Sequence, residues 1–111
     1  MEALQQSGHK DKVKIATDPA ASEFFTDDRK YDLDFKNDQP HADRIKTAAE
    51  MMEEYQSWCD TYPLVSIEDP FDQDDWEGYA NMMKEIGHKI QIVGDDNLVI
   101  RILKINPGDW N

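Results

Sequence analysis

The 111-residue chain is long enough for one small domain or for part of a larger one. Hydrophobic residues make up 39%, charged residues 32% and aromatic residues 10%, which suits a polar protein that still forms a core. A formal net charge of −12 argues against binding to nucleic acid or an anionic membrane, because their phosphates would be repelled. The single cysteine, and the lack of a membrane-spanning apolar run or a signal-peptide core, predict a cytoplasmic protein.

The first third of the chain predicts a short helix, a strand and a hairpin, in that order. Residues 1–8 are typical of the last turns of a helix that ends at Gly8. The stretch "KVKIAT", 12–17, alternates and then becomes apolar, which indicates a strand that ends at Asp18. In residues 22–36, aromatic residues on either side of the charged "TDDRK" predict a hairpin.

The middle of the chain predicts a helix followed by a second strand. From Ala42 to about Asp60, apolar residues recur at steps of three and four, which is typical of one helix face. The residues on this predicted face are Ile45, Ala48, Ala49, Met52, Tyr55 and Trp58. The following short strand, residues 64–67, ends at Glu68.

A second helix and a third strand complete the pattern. Asp74 or Asp75 can cap the helix, and Gly87 can end it. Its predicted buried face consists of Trp76, Tyr79, Ala80, Met83 and Ile86. The strand "KIQIV", 89–93, then ends at "GDD". Because strands and helices alternate, the sequence predicts an α/β fold in which the strands run parallel, as a sheet or as a barrel.

An acidic residue follows each of the three predicted strands: Asp18, Glu68 and Asp95. Parallel strands present their carboxyl ends at one face, where α/β proteins build their sites, so these carboxylates should converge. Hard oxygen ligands in that number suit Mg²⁺. The competing interpretation is that aspartate is common at the start of loops because of its turn chemistry.

Other kinds of site are poorly supported. The stretch "DQDDWEG", 72–78, begins like a calcium-binding loop, but Glu77 stands where that loop needs glycine and Met83 where it needs glutamate. The sequence contains no glycine-rich phosphate loop, and Ser66 has no histidine nearby with which to form a nucleophilic triad.

Four stretches of the sequence together resemble the enolase family, whose members are phosphopyruvate hydratases. They are "KVKIATDPAASEFF", "KYDLDFKN", "YPLVSIEDPFDQDDWEGY" and "QIVGDD", which lie between about residue 7 and residue 96. The resemblance implies a partial TIM-type (β/α) barrel with about three parallel strands, two crossover helices and a hairpin insertion. Residues 1–96 would form this part of the C-terminal barrel domain, and 97–111 a divergent tail. A flavodoxin-like domain is the alternative fold, although the inserted hairpin fits the barrel better.

The resemblance also implies an activity, namely the reversible dehydration of 2-phosphoglycerate to phosphoenolpyruvate in glycolysis. Asp18, Glu68 and Asp95 match the positions of the family's magnesium-binding carboxylates, and the last two also contact the substrate there. The chemistry is consistent, since divalent cations stabilise the negative charge that develops when a proton beside a carboxylate is removed. The family is also homodimeric.

Two departures from the family pattern limit what the chain is expected to do alone. The family's acid–base glutamates precede residue 1 in its order, and its phosphate-binding residues follow residue 96. We therefore expect no activity from the chain alone; the alternative is a non-catalytic acidic fragment with weak cation binding or an interaction role. Lys104, in "ILKIN", resembles the family's catalytic base, but it follows Asp95 too closely to allow a crossover helix between them.

Overall fold

The computed structural model describes residues 1–39 and 42–97. Its α-helices are α1 (Glu2–Gln6), α2 (Ala48–Thr61) and α3 (Trp76–Ile86). Its strands are β1 (Ile15–Thr17), β2 (Tyr31–Asp32), β3 (Ile45–Lys46), β4 (Leu64–Glu68) and β5 (Gln91–Val93). Short 3₁₀ turns span Ala21–Phe24 and Ala42–Arg44. No helix within the described ranges is both long enough and apolar enough to cross a bilayer.

The main sheet contains three parallel strands in the order β1–β4–β5. Thr17 is opposite Ile67, and Glu68 is opposite Val93, so the three strands end at nearly the same level. This arrangement confirms the predicted α/β class and the partial barrel. The first and third strands are shorter than predicted, since β1 begins at Ile15 and β5 at Gln91.

The predicted hairpin forms between β1 and α2 and is joined by a strand that the sequence did not reveal. Its turn is closed by bonds from the Thr26 N–H to the Lys30 carbonyl, 2.8 Å, and from the Arg29 N–H to the Thr26 carbonyl, 2.9 Å. Phe25 and Tyr31 form an antiparallel bridge across it. Strand β2 then pairs with β3, so the insertion is anchored to the segment that leads into α2.

Helix α2 confirms the predicted helix and its end, but the predicted start at Ala42 was wrong, since the helix begins at Ala48. Thr47 is the N-cap: its hydroxyl accepts the Glu50 N–H at 3.2 Å, and the Glu50 carboxylate accepts the Thr47 N–H at 2.7 Å. This capping box satisfies backbone donors that the first turn leaves free, and it defines the start of the helix. Ile45, which has the helical spacing, lies in β3 instead.

The core lies between the sheet, the helices and the hairpin. Its buried hydrophobic residues are Ala21, Tyr31, Met51, Tyr55, Ile67, Phe71, Met82, Ile86 and Ile90. The predicted face of α3 was partly wrong: Met83 and Trp76 are 57% and 42% exposed, whereas Met82 is fully buried. Met82 and Ile86 are four residues apart and so lie on one side of the helix, which is the side that meets the core.

The loop after β4 is held by aromatic side chains. The Phe71 ring meets the rings of Tyr31 and Tyr55 edge-on, with centroids 6.0 and 5.8 Å apart. The Tyr55 hydroxyl donates to the Pro70 carbonyl at 2.7 Å, and the Tyr31 hydroxyl accepts the Asp72 N–H at 2.9 Å. This buried network holds the segment that begins directly after the acidic end of β4.

Candidate metal centre

Three carboxylates meet at the carboxyl ends of β4 and β5. Glu68, Asp69 and Asp95 each offer an oxygen atom, and these atoms lie within 4.8 Å of one another. Glu68 is half-buried, Asp69 is buried and Asp95 is exposed. The parallel pairing of Glu68 with Val93 explains how residues so far apart in sequence meet, since Asp95 lies only two residues after Val93. Two of the three predicted site residues, Glu68 and Asp95, are therefore neighbours.

Asp69 belongs to this group although the sequence did not single it out. In a regular strand, consecutive side chains point to opposite faces, so a residue next to Glu68 is expected to point away from it. Asp69 has a φ of +45°, however, and the alternation does not continue through that backbone conformation. The pair Glu-Asp in "SIEDP" was the available signal, but strand periodicity does not predict that both side chains reach one site.

Asp18 faces the same end of the sheet but is not in the group of three. Its carboxylate accepts the Ala20 N–H at 2.9 Å, which is the turn chemistry typical of aspartate after a strand. Partial burial raises the pKa of Glu68, and repulsion from Asp18 adds to that rise. Partial burial also raises the pKa of Asp96. Repulsion from Asp69, Asp95 and Asp18 raises that pKa further.

The negative charge at this end of the sheet is not balanced by an ion pair in the described part of the chain. The ion pairs found there join Lys30 to Asp28, Arg44 to Asp34, Lys46 to Glu54 and Lys89 to Asp60. Partial burial raises the pKa of Glu68 most, and repulsion from the neighbouring carboxylates raises it further. A bound cation would relieve that repulsion.

The donor set fits Mg²⁺ better than a softer metal. All donor atoms in the group of three are carboxylate oxygens, whereas zinc and copper sites favour histidine nitrogen and cysteine sulfur. Mg²⁺ is commonly held by few carboxylates, with water or substrate oxygens completing its octahedron.

The predicted catalytic residue Lys104, and the predicted tail beyond Asn97, lie outside the described residues.

Comparison with known proteins identifies the family. Residues 1–108 match the family model described as the enolase C-terminal TIM barrel domain. The enolase of Eimeria tenella is 48% identical over 106 residues, covering 95% of this chain and 24% of that protein. The enolase of Solanum lycopersicum is 48% identical over 97 residues, covering 87% of this chain and 22% of that protein. The chain thus spans about a quarter of the length of these relatives. Because the family model covers almost the whole chain, the chain belongs to the enolase family.

Proposed function

We propose that the chain supplies the magnesium-binding part of an enolase barrel, in a protein that reversibly dehydrates 2-phosphoglycerate to phosphoenolpyruvate. Asp18, Glu68 and Asp95 would hold the Mg²⁺, and Glu68 and Asp95 would also lie against the substrate. When bound, Mg²⁺ would supply positive charge that stabilises the negative charge developing on the substrate. Lys104 would be the catalytic base, a role supported only by its resemblance to the family's lysine.

The observation that carries this proposal is the convergence of acids from separate strands. Glu68 and Asp95 come from β4 and the end of β5, and they offer oxygens within 4.8 Å of each other. Asp18 follows the neighbouring strand β1. Partial burial raises the pKa of Glu68 most, and repulsion from the nearby Asp18 carboxylate raises it further. A site assembled from three parallel strand ends is the usual position of a catalytic centre in a (β/α) barrel.

We further propose that the chain in isolation binds Mg²⁺ weakly and does not turn over substrate. Metal binding by a few carboxylates is a local property of the strand ends, whereas proton transfer needs positioned acid and base groups. In the family's order, the acid–base glutamates belong to a part of the enzyme that precedes this segment. The whole protein would be cytoplasmic and homodimeric, as the resemblance implies.

Isothermal titration calorimetry of the full 111-residue chain with Mg²⁺ tests the metal site. We expect weak binding that is lost or strongly reduced in Asp18→Asn, Glu68→Gln and Asp95→Asn. Asp27→Asn is the matched control, since it removes the same single charge from an exposed residue in the hairpin turn. We expect Asp27→Asn to bind Mg²⁺ as the unmodified chain does.

Two results would contradict the proposed metal site. If the unmodified chain shows no heat of Mg²⁺ binding, or if all three site variants bind like the control, the carboxylates do not form a metal site. Turnover is followed separately, as the ultraviolet absorbance of phosphoenolpyruvate formed from 2-phosphoglycerate. Its appearance with the purified chain alone would show that the chain is active without the rest of an enolase.

A further inference from the structure

Asp69 makes a set of contacts that distinguishes it from the other acids at the end of the sheet. It is only 4% exposed, and its carboxylate accepts the backbone N–H of Asp95 at 2.9 Å and that of Asp96 at 3.3 Å. The Tyr79 hydroxyl lies 3.4 Å from the same carboxylate oxygen. The side chain is therefore directed at the backbone of the loop that carries Asp95.

The backbone of Asp69 bonds to the segments on both sides of β4. Its N–H donates to the Val93 carbonyl at 2.9 Å, at the end of β5. Its carbonyl accepts the Ala21 N–H at 3.0 Å, in the segment that follows β1 and Asp18. One residue thus connects the three chain segments that carry the proposed metal ligands.

These contacts argue against Asp69 itself as a principal metal ligand. Its Oδ1 atom already receives the Asp95 and Asp96 N–H groups, and Oδ2 also lies 3.3 Å from the Asp96 nitrogen. A carboxylate oxygen whose lone pairs are occupied by backbone donors is a poorer donor to a cation. The exposed carboxylate of Asp95, by contrast, is held in place through its own backbone N–H.

We infer that Asp69 is a positioning residue, which fixes the backbone of Asp95 and Asp96 so that the Asp95 carboxylate is directed at the cation beside Glu68. The expected effect on Mg²⁺ affinity rests on the proposed function. The hydrogen bonds themselves exist without the metal and can be tested without it. Loss of a group that orients a metal ligand in this way typically lowers metal affinity by about 10- to 100-fold.

The experiment uses the full chain labelled with ¹⁵N, freed of metal, and follows amide hydrogen exchange by NMR. In the unmodified chain, the amides of Asp95 and Asp96 should be protected, because a buried carboxylate accepts them. In Asp69→Asn, the negative charge is lost and only one oxygen remains to accept the N–H groups of Asp95 and Asp96, so both bonds are weakened. Exchange at Asp95 and Asp96, referenced to the Ile67 amide in β4, should then rise by about tenfold or more.

Asp75→Asn is the matched control because Asp75 is also buried, at 8% exposure, and accepts a backbone N–H, that of Gly78. It should leave the referenced exchange of Asp95 and Asp96, and the Mg²⁺ affinity, unchanged. Asp69→Asn should lower the Mg²⁺ affinity about tenfold while the far-ultraviolet circular dichroism spectrum is retained.

Three results would overturn the inference. The first is rapid exchange of both amides in the unmodified chain. This result does not depend on whether any variant folds. The second is protection in Asp69→Asn equal to that in the control. The third is a loss of Mg²⁺ affinity without any change at these amides, since that result would identify Asp69 as a direct ligand. If the unmodified chain binds no Mg²⁺, the proposed function fails, whereas the amide measurement still tests the positioning role.

Discussion

The hydroxyl of Tyr31 should contribute strongly to stability, and Tyr31→Phe removes it without changing the size of the ring. The side chain is fully buried. Its hydroxyl donates to the Asp75 carboxylate at 2.6 Å and accepts the Asp72 N–H at 2.9 Å. Burial and the bond to Asp75 together raise the pKa of Tyr31 well above its usual value, so the hydroxyl stays protonated and able to donate.

The expected cost follows from the kind of bond that is lost. A hydrogen bond to a charged group contributes about 1.5 to 3 kcal/mol, and the substitution also leaves the Asp72 N–H without this acceptor. We therefore expect Tyr31→Phe to lower the free energy of unfolding by about 2 to 3 kcal/mol. Since small domains are stable by only about 5 to 15 kcal/mol, this is a large fraction of the total.

Tyr79→Phe is the matched control for this prediction. The Tyr79 hydroxyl is 3.4 Å from both Asp69 Oδ1 and the Phe71 carbonyl, which is longer than an ordinary O–H···O bond. Its removal should cost less than about 1 kcal/mol. Urea unfolding followed by circular dichroism, with sucrose added to all samples if the variant is unstable, measures both values. Equal free energies of unfolding for Tyr31→Phe and the unmodified chain would refute the reasoning.

Two further predictions concern the helices. Met82→Ala should lower the free energy of unfolding by about 2 to 5 kcal/mol, whereas Met83→Ala should change it by less than about 0.5 kcal/mol, because only Met82 is buried. Urea unfolding tests this pair, and similar losses would contradict the observed orientation of α3. The N–H and hydroxyl of Thr47 lower the pKa of Glu50 from its ordinary 4.5. The charged form therefore stabilises the fold above pH 4.5, and this contribution is lost as the pH falls through the lowered pKa. Glu50→Gln should be less stable than the unmodified chain at neutral pH, and the difference should vanish in acid; a difference independent of pH would contradict the prediction.

The order of the strands and helices and the position of the acids could be predicted from the sequence because both depend on short stretches of neighbouring residues. Apolar runs that end in Asp18, Glu68 and Asp95 indicate three strands, and the helical spacings between them indicate crossovers. Once the strands are parallel, their carboxyl ends share one side of the sheet, so the convergence of Glu68 and Asp95 follows from topology. Neither inference depends on the details of packing.

The tertiary structure determined what depends on partners distant in sequence. Ile45 has a helical spacing, but it pairs with β2, so the helix starts after the Thr47 cap. Met82 rather than Met83 is buried because of the side on which α3 meets the core. The spacing of apolar residues alone does not distinguish this helix face from one rotated by a single residue. Asp69 joins the acidic site because its backbone adopts a positive φ, held by bonds to the end of β5 and to the segment that follows β1. Strand periodicity does not predict this conformation.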